Sequence, residues 1–147
     1  MLKRINGKKC VIVRGPSGAG KSTYAKENYP EATICSADLF FEERADLNGT
    51  TYEDEFKPWL LSMAHQHCFG NFIHALKIMN DDVILVDNTN TMQWEYENYV
   101  LLAELEGYKV EVITVPFDPE MAEVYHERNT HGVPLEVIKD QIARFEH

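Results

Sequence analysis

Gly15-Pro16-Ser17-Gly18-Ala19-Gly20-Lys21-Ser22 fits the pattern G-x-x-x-x-G-K-[ST]. It stands between an apolar run, Cys10-Val11-Ile12-Val13, and a helical pattern, Thr23-Tyr24-Ala25-Lys26-Glu27-Asn28. Strand, glycine-rich loop and helix in that order read as a phosphate-binding loop. Glycines let the loop curl so that successive backbone N–H groups point at a β-phosphate. Lys21 is then placed to reach the β- and γ-phosphates, and the Ser22 hydroxyl to ligate a Mg²⁺ that they share. The helix that follows directs its positive end at the same oxygens. The chemistry implied is that of ATP or GTP, with the residues from Gly15 through Thr23 as the nucleotide-binding set.

A chain of 147 residues with 44% hydrophobic content supports a core of ordinary size, and a single domain over residues 1–147 is expected. No apolar run approaches the roughly 18 residues that span a bilayer. The N-terminal Met1-Leu2-Lys3-Arg4-Ile5-Asn6-Gly7 has no apolar signal region behind its charges. No membrane partner and a cytoplasmic location are expected, the host cytoplasm for a viral chain. Cys10, Cys35 and Cys68 are odd in number and widely spaced, which suits reduced core thiols better than disulfides or a zinc site. The formal charge of −10 disfavours a surface that grips long nucleic acid, and no strong sequence-specific DNA binding is expected. A narrow cationic channel for one strand end remains compatible with that charge.

Apolar runs and helical patterns alternate along the whole chain. A second strand is expected at residues 32–35, followed by a polar, acidic stretch over 36–55 that reads as a surface insertion with Asn48-Gly49 as its turn. Leu60, Ala64, Cys68, Phe72, Leu76 and Met79 recur at helical spacing, so residues 58–79 are expected to form one long helix with Gly70 as a weak point. Val83-Ile84-Leu85-Val86 reads as a central buried strand that brings Asp87 out at its carboxyl end. Met92, Tyr96, Tyr99, Val100 and Ala103 mark a helix stopped by Gly107, and residues 109–115 a further strand. Two more helices are expected, from Pro119 to about Glu127 and from Pro134 onward, the latter turning Leu135, Ile138, Ile142 and Phe145 inward. The fold class is α/β, a doubly wound parallel sheet with ligands at the carboxyl ends of its strands.

The guanine-reading Asn-Lys-x-Asp motif is absent, and no Asp-x-x-Gly switch follows a strand, which disfavours a GTPase. Three further segments accompany the loop: Ile34-Cys35-Ser36-Ala37-Asp38, Val86-Asp87-Asn88-Thr89-Asn90 and Arg128-Asn129-Thr130-His131-Gly132-Val133-Pro134. The ordered set resembles the phosphate-loop kinase domain of the 5′-polynucleotide kinases. It is most similar to the compact branch found in some eukaryotic ubiquitin-ligase-binding proteins and in viral and bacterial relatives. The resemblance implies a phosphate-loop NTPase-like kinase with a C-terminal lid.

The resemblance maps the acid that accepts the proton of the attacking hydroxyl onto Asp38. Phosphoryl transfer needs positioning, charge neutralisation and a carboxylate within reach of the nucleophile, so the residue type agrees. The alternative for Asp38 is a helix N-cap after Ala37. Asp87, beside the loop, is placed to organise Mg²⁺ through water or to orient the acceptor. Asn88 and Asn90 are candidates to bind substrate or to hold the loop, and a capping turn is an equal alternative for Asn90. Arg128 resembles the lid arginine that stabilises charge on the transferred group, with a salt bridge to Glu127 or Glu123 as the alternative.

Two positions depart from the phage members of the family. Phe41 stands where an acceptor-holding arginine lies three residues after the acid, with Arg44 as the nearest substitute, and His131 stands where a second lid arginine is found. Phe40, Phe41, Arg44 and Asn88 are the candidate acceptor contacts. Phe40, Phe41, Tyr52 and Trp59 offer aromatic faces for a base, although a core role is the commoner use of such residues. His65, His67 and Cys68 do not share a helix face and read as structural.

These readings converge on an ATP- and Mg²⁺-dependent kinase whose partners are an NTP and a hydroxyl acceptor, a nucleic-acid 5′ end before others. Lys21, Asp38 and Arg128 are its expected catalytic residues. A kinase for a small molecule or a modified nucleobase is the alternative among enzymes, and a non-catalytic nucleotide-binding module the alternative outside them.

Overall fold

The computed structural model describes residues 7–147. The N-terminal Met1 to Asn6 stretch, read above as lacking a signal region, lies outside them. Four parallel strands form one sheet: β1 (Lys9–Arg14), β2 (Thr33–Cys35), β3 (Val83–Asp87) and β4 (Lys109–Thr114), in the order β2-β3-β1-β4. In the register, Val13 lies opposite Asp87 of β3 and Ile113 of β4, so the loop after β1 and the carboxylate of β3 leave the sheet at one level.

Alternation along β1 assigns its residues to two cores. Cys10 and Ile12 pack with Ile84, Val86, Cys68, Phe72, Leu76 and Tyr99 on the face covered by α4 (Leu61–Ile73) and α5 (Gln93–Leu105). Val11 and Val13 pack with Leu85, Val115 and Ala25 on the face covered by α1 (Lys21–Asn28). Each large apolar side chain so buried contributes about 1.5–3 kcal/mol, and burial on both faces explains why β1 and β3 are continuous apolar runs.

The expected long helix is composite. A 3₁₀ turn (Pro58–Leu60) leads into α4, which runs through Gly70 and widens into a π-turn (His74–Met79) ended by Asn80 at φ 51°. The reading of residues 36–55 as a surface insertion is corrected. They form α2 (Asp38–Asn48) and α3 (Tyr52–Glu55), and Ala37, Phe41 and Ala64 make a third buried cluster with Phe40, Tyr52, Phe56 and Leu60 packed around it. The i, i+4 series Ala37, Phe41, Ala45 is an apolar stripe narrow enough to be lost among the surrounding acids.

After β4, a 3₁₀ turn (Pro119–Met121) and α6 (Ala122–Arg128) precede α7 (Leu135–Ala143). Pro134 is the N-cap of α7 rather than its first helical residue, and Phe145 is buried beyond the helix end, against Phe117 and over the Arg14 guanidinium. No helix among the described residues is long and apolar enough to cross a membrane.

Candidate active site

A cavity of about 580 Å³ opens at the carboxyl ends of β1 and β3, walled by the loop at 17–20, Lys21, Asp38, Asp87 and the segment from Arg128 to His131. The phosphate loop is held from behind. Gly15 N–H donates to Thr89 O at 3.0 Å, and Ser17 N–H donates to Gln141 Oε1 of α7 at 2.9 Å. Gly15 and buried Pro16 form the rear of the loop, whereas Ser17 through Thr23 line the cavity. Gly18 has φ +82° and lies against the Tyr125 carbonyl, where an added Cβ would collide with backbone. Only glycine satisfies both conditions.

Lys21 lies at the start of α1 with its Nζ 3.2 Å from Pro16 O. Burial lowers its pKa, while the charges of Asp87 and Asp38 oppose that shift. Ser22 Oγ donates to Asp87 Oδ2 at 3.0 Å. Burial raises the pKa of Asp87, against the pull of Lys21 and the Ser22 hydrogen bond. A hydroxyl and a carboxylate paired beside an ammonium, at the mouth of a loop with room only for glycine, fit a divalent cation shared with nucleotide phosphates. Ser22 and Asp87 are the residues that would hold it.

Asp38 is the first residue of α2, and Ala37 rather than Asp38 occupies the cap position. The missing cap is supplied from elsewhere: Ala37 N–H donates to Asn88 Oδ1 at 2.9 Å, and Asp38 N–H to Ser36 Oγ at 3.2 Å. The Asp38 carboxylate faces the cavity, taking the Tyr52 hydroxyl on Oδ1 at 2.5 Å, with His131 Nδ1 3.5 Å from Oδ2. Arg128 crosses the other side of the opening, donating from Nη2 to Gly18 O at 2.8 Å, with its guanidinium over the Tyr125 ring. It is paired with the loop rather than with Glu127 or Glu123.

The candidate acceptor contacts are placed differently. Phe41 is only 1% exposed, inside the α2–α4 cluster, and is corrected to a core residue. Asn88 is buried, with Oδ1 on Ala37 N–H and Nδ2 directed at Cys68 Sγ, so it ties the end of β3 to the start of α2 and to α4. Phe40 packs edge-on against Phe41 and His67, and Arg44 lies 3.4 Å from Glu55 and over the Phe40 ring; neither lines the cavity. Asn90, at φ 47°, is buried and donates to Val13 O at 2.9 Å, which ties the loop after β3 to the end of β1. Trp59 is 75% exposed and stands apart from the aromatic cluster of Phe40, Phe41 and Tyr52. His67 pairs with Glu43, and the buried Cys68 thiol receives the Tyr99 hydroxyl at 3.3 Å.

Three residues in or behind the site were given no such role by the sequence. Gln141 reaches the loop from the far end of the chain, Tyr52 reaches Asp38 from α3, and Asn129 Oδ1 accepts from the N–H groups of both His131 and Val133 at 3.0 Å, shaping the lid turn.

A family model described as an AAA domain matches residues 10–147. The chain belongs to this AAA domain family. The family, with the relatives below, marks the chain as a phosphate-loop, kinase-like domain. Human NEDD4-binding protein 2 is 32% identical over 147 residues, a match covering 92% of this chain and 8% of that protein. The chain therefore spans less than a tenth of that relative's length. A solved gluconokinase from Sinorhizobium meliloti 1021 superimposes with a TM-score of 0.56 at 16% identity, over 99% of this chain and 78% of that one. That likeness establishes the fold, a parallel sheet with flanking helices of the phosphate-loop kinase kind.

Proposed function

We propose that this AAA-family chain is a divalent-cation-dependent kinase that moves the γ-phosphate of ATP to a hydroxyl, namely the 5′-hydroxyl of a DNA or RNA end. The observation that carries this reading is the place of Asp38: a carboxylate at the open wall of the same cavity whose opposite wall is the phosphate loop. A nucleotide switch needs no carboxylate there to take a proton from an entering hydroxyl. The ordered motif set that resembles the 5′-polynucleotide kinases supports the choice of acceptor.

In this reading the loop N–H groups and Lys21 bind the donor phosphates, while Ser22 and Asp87 supply oxygens for Mg²⁺. Bound Mg²⁺ would neutralise charge on the donor phosphates. Asp38 takes the proton of the acceptor hydroxyl as that oxygen bonds to the γ-phosphorus. The bond from phosphorus to the β–γ bridging oxygen breaks, and its electron pair leaves with the nucleoside diphosphate. Arg128 is at the rim for the oxygens of the transferred group, where its planar fork suits phosphate.

A second reading, a small or uncharged hydroxyl acceptor, is favoured by one observation. Arg44 is drawn to Glu55 and away from Asp38, and Phe41 is buried, so that wall offers no guanidinium for an acceptor phosphate. Both readings place the protein in the cytoplasm, where ATP and such acceptors are found. The test is transfer of γ-labelled phosphate from ATP with Mg²⁺ to single-stranded RNA and DNA bearing a 5′-hydroxyl, beside nucleosides and polyols, with Asp38→Asn as control. Label on oligonucleotide ends that vanishes in the variant upholds the first reading. Label only on small acceptors selects the second, and ATP binding without transfer to any acceptor overturns both.

A further inference from the structure

The lid segment crosses the cavity and touches both of its walls. At one end Arg128 donates to Gly18 O in the phosphate loop. At the other, His131 places Nδ1 3.5 Å from Asp38 Oδ2 and Nε2 3.0 Å from Glu42 Oε1, one turn along α2. Between them the Asn129 side chain accepts two backbone N–H groups of the turn, and Gly132, at φ +67°, lies against the Glu53 carboxylate of α3. The His131 ring stacks on Tyr52 with centroids 4.2 Å apart, and Tyr52 in turn donates its hydroxyl to Asp38 Oδ1.

Asp38 needs this support. Its side chain is 47% exposed on the first turn of a helix, where a lone aspartate samples several rotamers. A proton acceptor is effective when one lone pair is held toward the incoming hydroxyl. One carboxylate oxygen taken by Tyr52 and the other flanked by His131 define such an orientation. His131 lies between two carboxylates, with Nδ1 facing Asp38 and Nε2 facing Glu42. Burial, followed by the Asp38 charge, pushes the Tyr52 phenol well above the ordinary tyrosine range, so it stays an O–H donor.

Resting on the kinase reading above, we propose that Tyr52 and His131 are positioning residues that orient Asp38. Residues 128–132 then act as a strap that couples the donor loop to the acceptor acid. Facing Asp38 are Tyr52 from α3, His131 from the strap, Glu42 from its own helix, Lys21 from α1 and Asp87 from β3, with His65 and Cys68 of α4 further off. Among these, Tyr52 makes the one side-chain hydrogen bond to the Asp38 carboxylate.

The test uses Tyr52→Phe, which keeps the ring and its stacking and removes only the hydroxyl. Loss of a hydrogen bond to a charged group predicts a fall in transfer kcat of about tenfold or more, with KM for ATP and the melting temperature unchanged. His131→Gln, combined with Tyr52→Phe, should cost less than the product of the single losses, because both act on one carboxylate. A second readout needs no turnover. The ¹³Cζ resonance of Tyr52 should titrate at lower pH in Asp38→Asn than in the parent protein. Wild-type kcat in Tyr52→Phe, or a Tyr52 titration indifferent to Asp38→Asn, would overturn the proposal. If the parent protein phosphorylates no hydroxyl at all, the kinase reading falls, and the Tyr52 titration still decides the contact.

Discussion

Ser22 and Asp87, 65 residues apart in sequence, are joined side chain to side chain by a 3.0 Å hydrogen bond beneath the phosphate loop. Ser22 comes from the first turn of α1 and Asp87 from the end of β3, and the parallel pairing of β1 with β3 puts the two at one height. In the proposed reading the pair marks the metal side of the cavity, and Asp38 with Tyr52 the acceptor side. The following expectations rest on that division.

Asp38→Asn removes a proton acceptor and retains the shape of the side chain. Turnover should fall by about two to four orders of magnitude, while ATP affinity, read by calorimetry, stays close to that of the parent. Unchanged turnover would remove Asp38 from the mechanism.

Lys21→Ala acts on the donor side. The ammonium is buried beside Asp87 and Asp38, whose charges favour its protonated form. Its loss should weaken ATP binding and lower kcat together, whatever acceptor is supplied. Parent-like activity in this variant would contradict the role of the loop.

Gly18→Ala sets a methyl group against the Tyr125 carbonyl at a φ that L residues rarely adopt. We expect a lower melting temperature together with loss of ATP-induced stabilisation, both read in one thermal-shift series with and without Mg·ATP. Gly49, with open space around its α-carbon and a similar positive φ, serves as the control for backbone strain alone.

Phe41→Ala should cost about 3–5 kcal/mol of stability, the range for emptying a large aromatic site in a core. Urea titration measures it. A loss below 1 kcal/mol, with altered acceptor KM, would instead return Phe41 to the acceptor wall.

The Cys10 and Cys35 thiols are each pushed up to about 12 by burial, from an ordinary 9.0. A raised pKa in the fold means the folded state keeps a proton that the unfolded state loses. The corresponding stability is therefore fully present below pH 9.0 and is lost as pH rises toward about 12. A thiol reagent at pH 8 should leave Cys10, Cys35 and Cys68 unmodified in the native protein and modify all three after denaturation. Rapid native labelling of any one would place it nearer the surface.

Most of the sheet was legible because buried parallel strands leave continuous apolar runs, and Cys10 to Val13 and Val83 to Val86 each fall inside an observed strand. The α2–α3 pair was not. Its apolar stripe is three residues wide in an acidic background, and its N-terminal cap comes from Asn88, 51 residues away. Capping by a distant side chain leaves no local signal. Phe41 misled for a related reason: an aromatic next to a candidate acid looks like a substrate contact until the α4 helix is known to cover it.

The sequence by itself determined the phosphate loop and the order of the four strands and of the helices other than α2 and α3, because apolar runs, helical spacing and the strand–loop–helix pattern are local. Tertiary structure alone decided that Tyr52 and His131 meet on Asp38, that Gln141 holds the loop from behind, and that Arg44 turns away to Glu55. Each of these contacts joins elements with no fixed separation in the chain. Their hydrogen bonds depend on how helices seat against the sheet, and no local pattern encodes that distance.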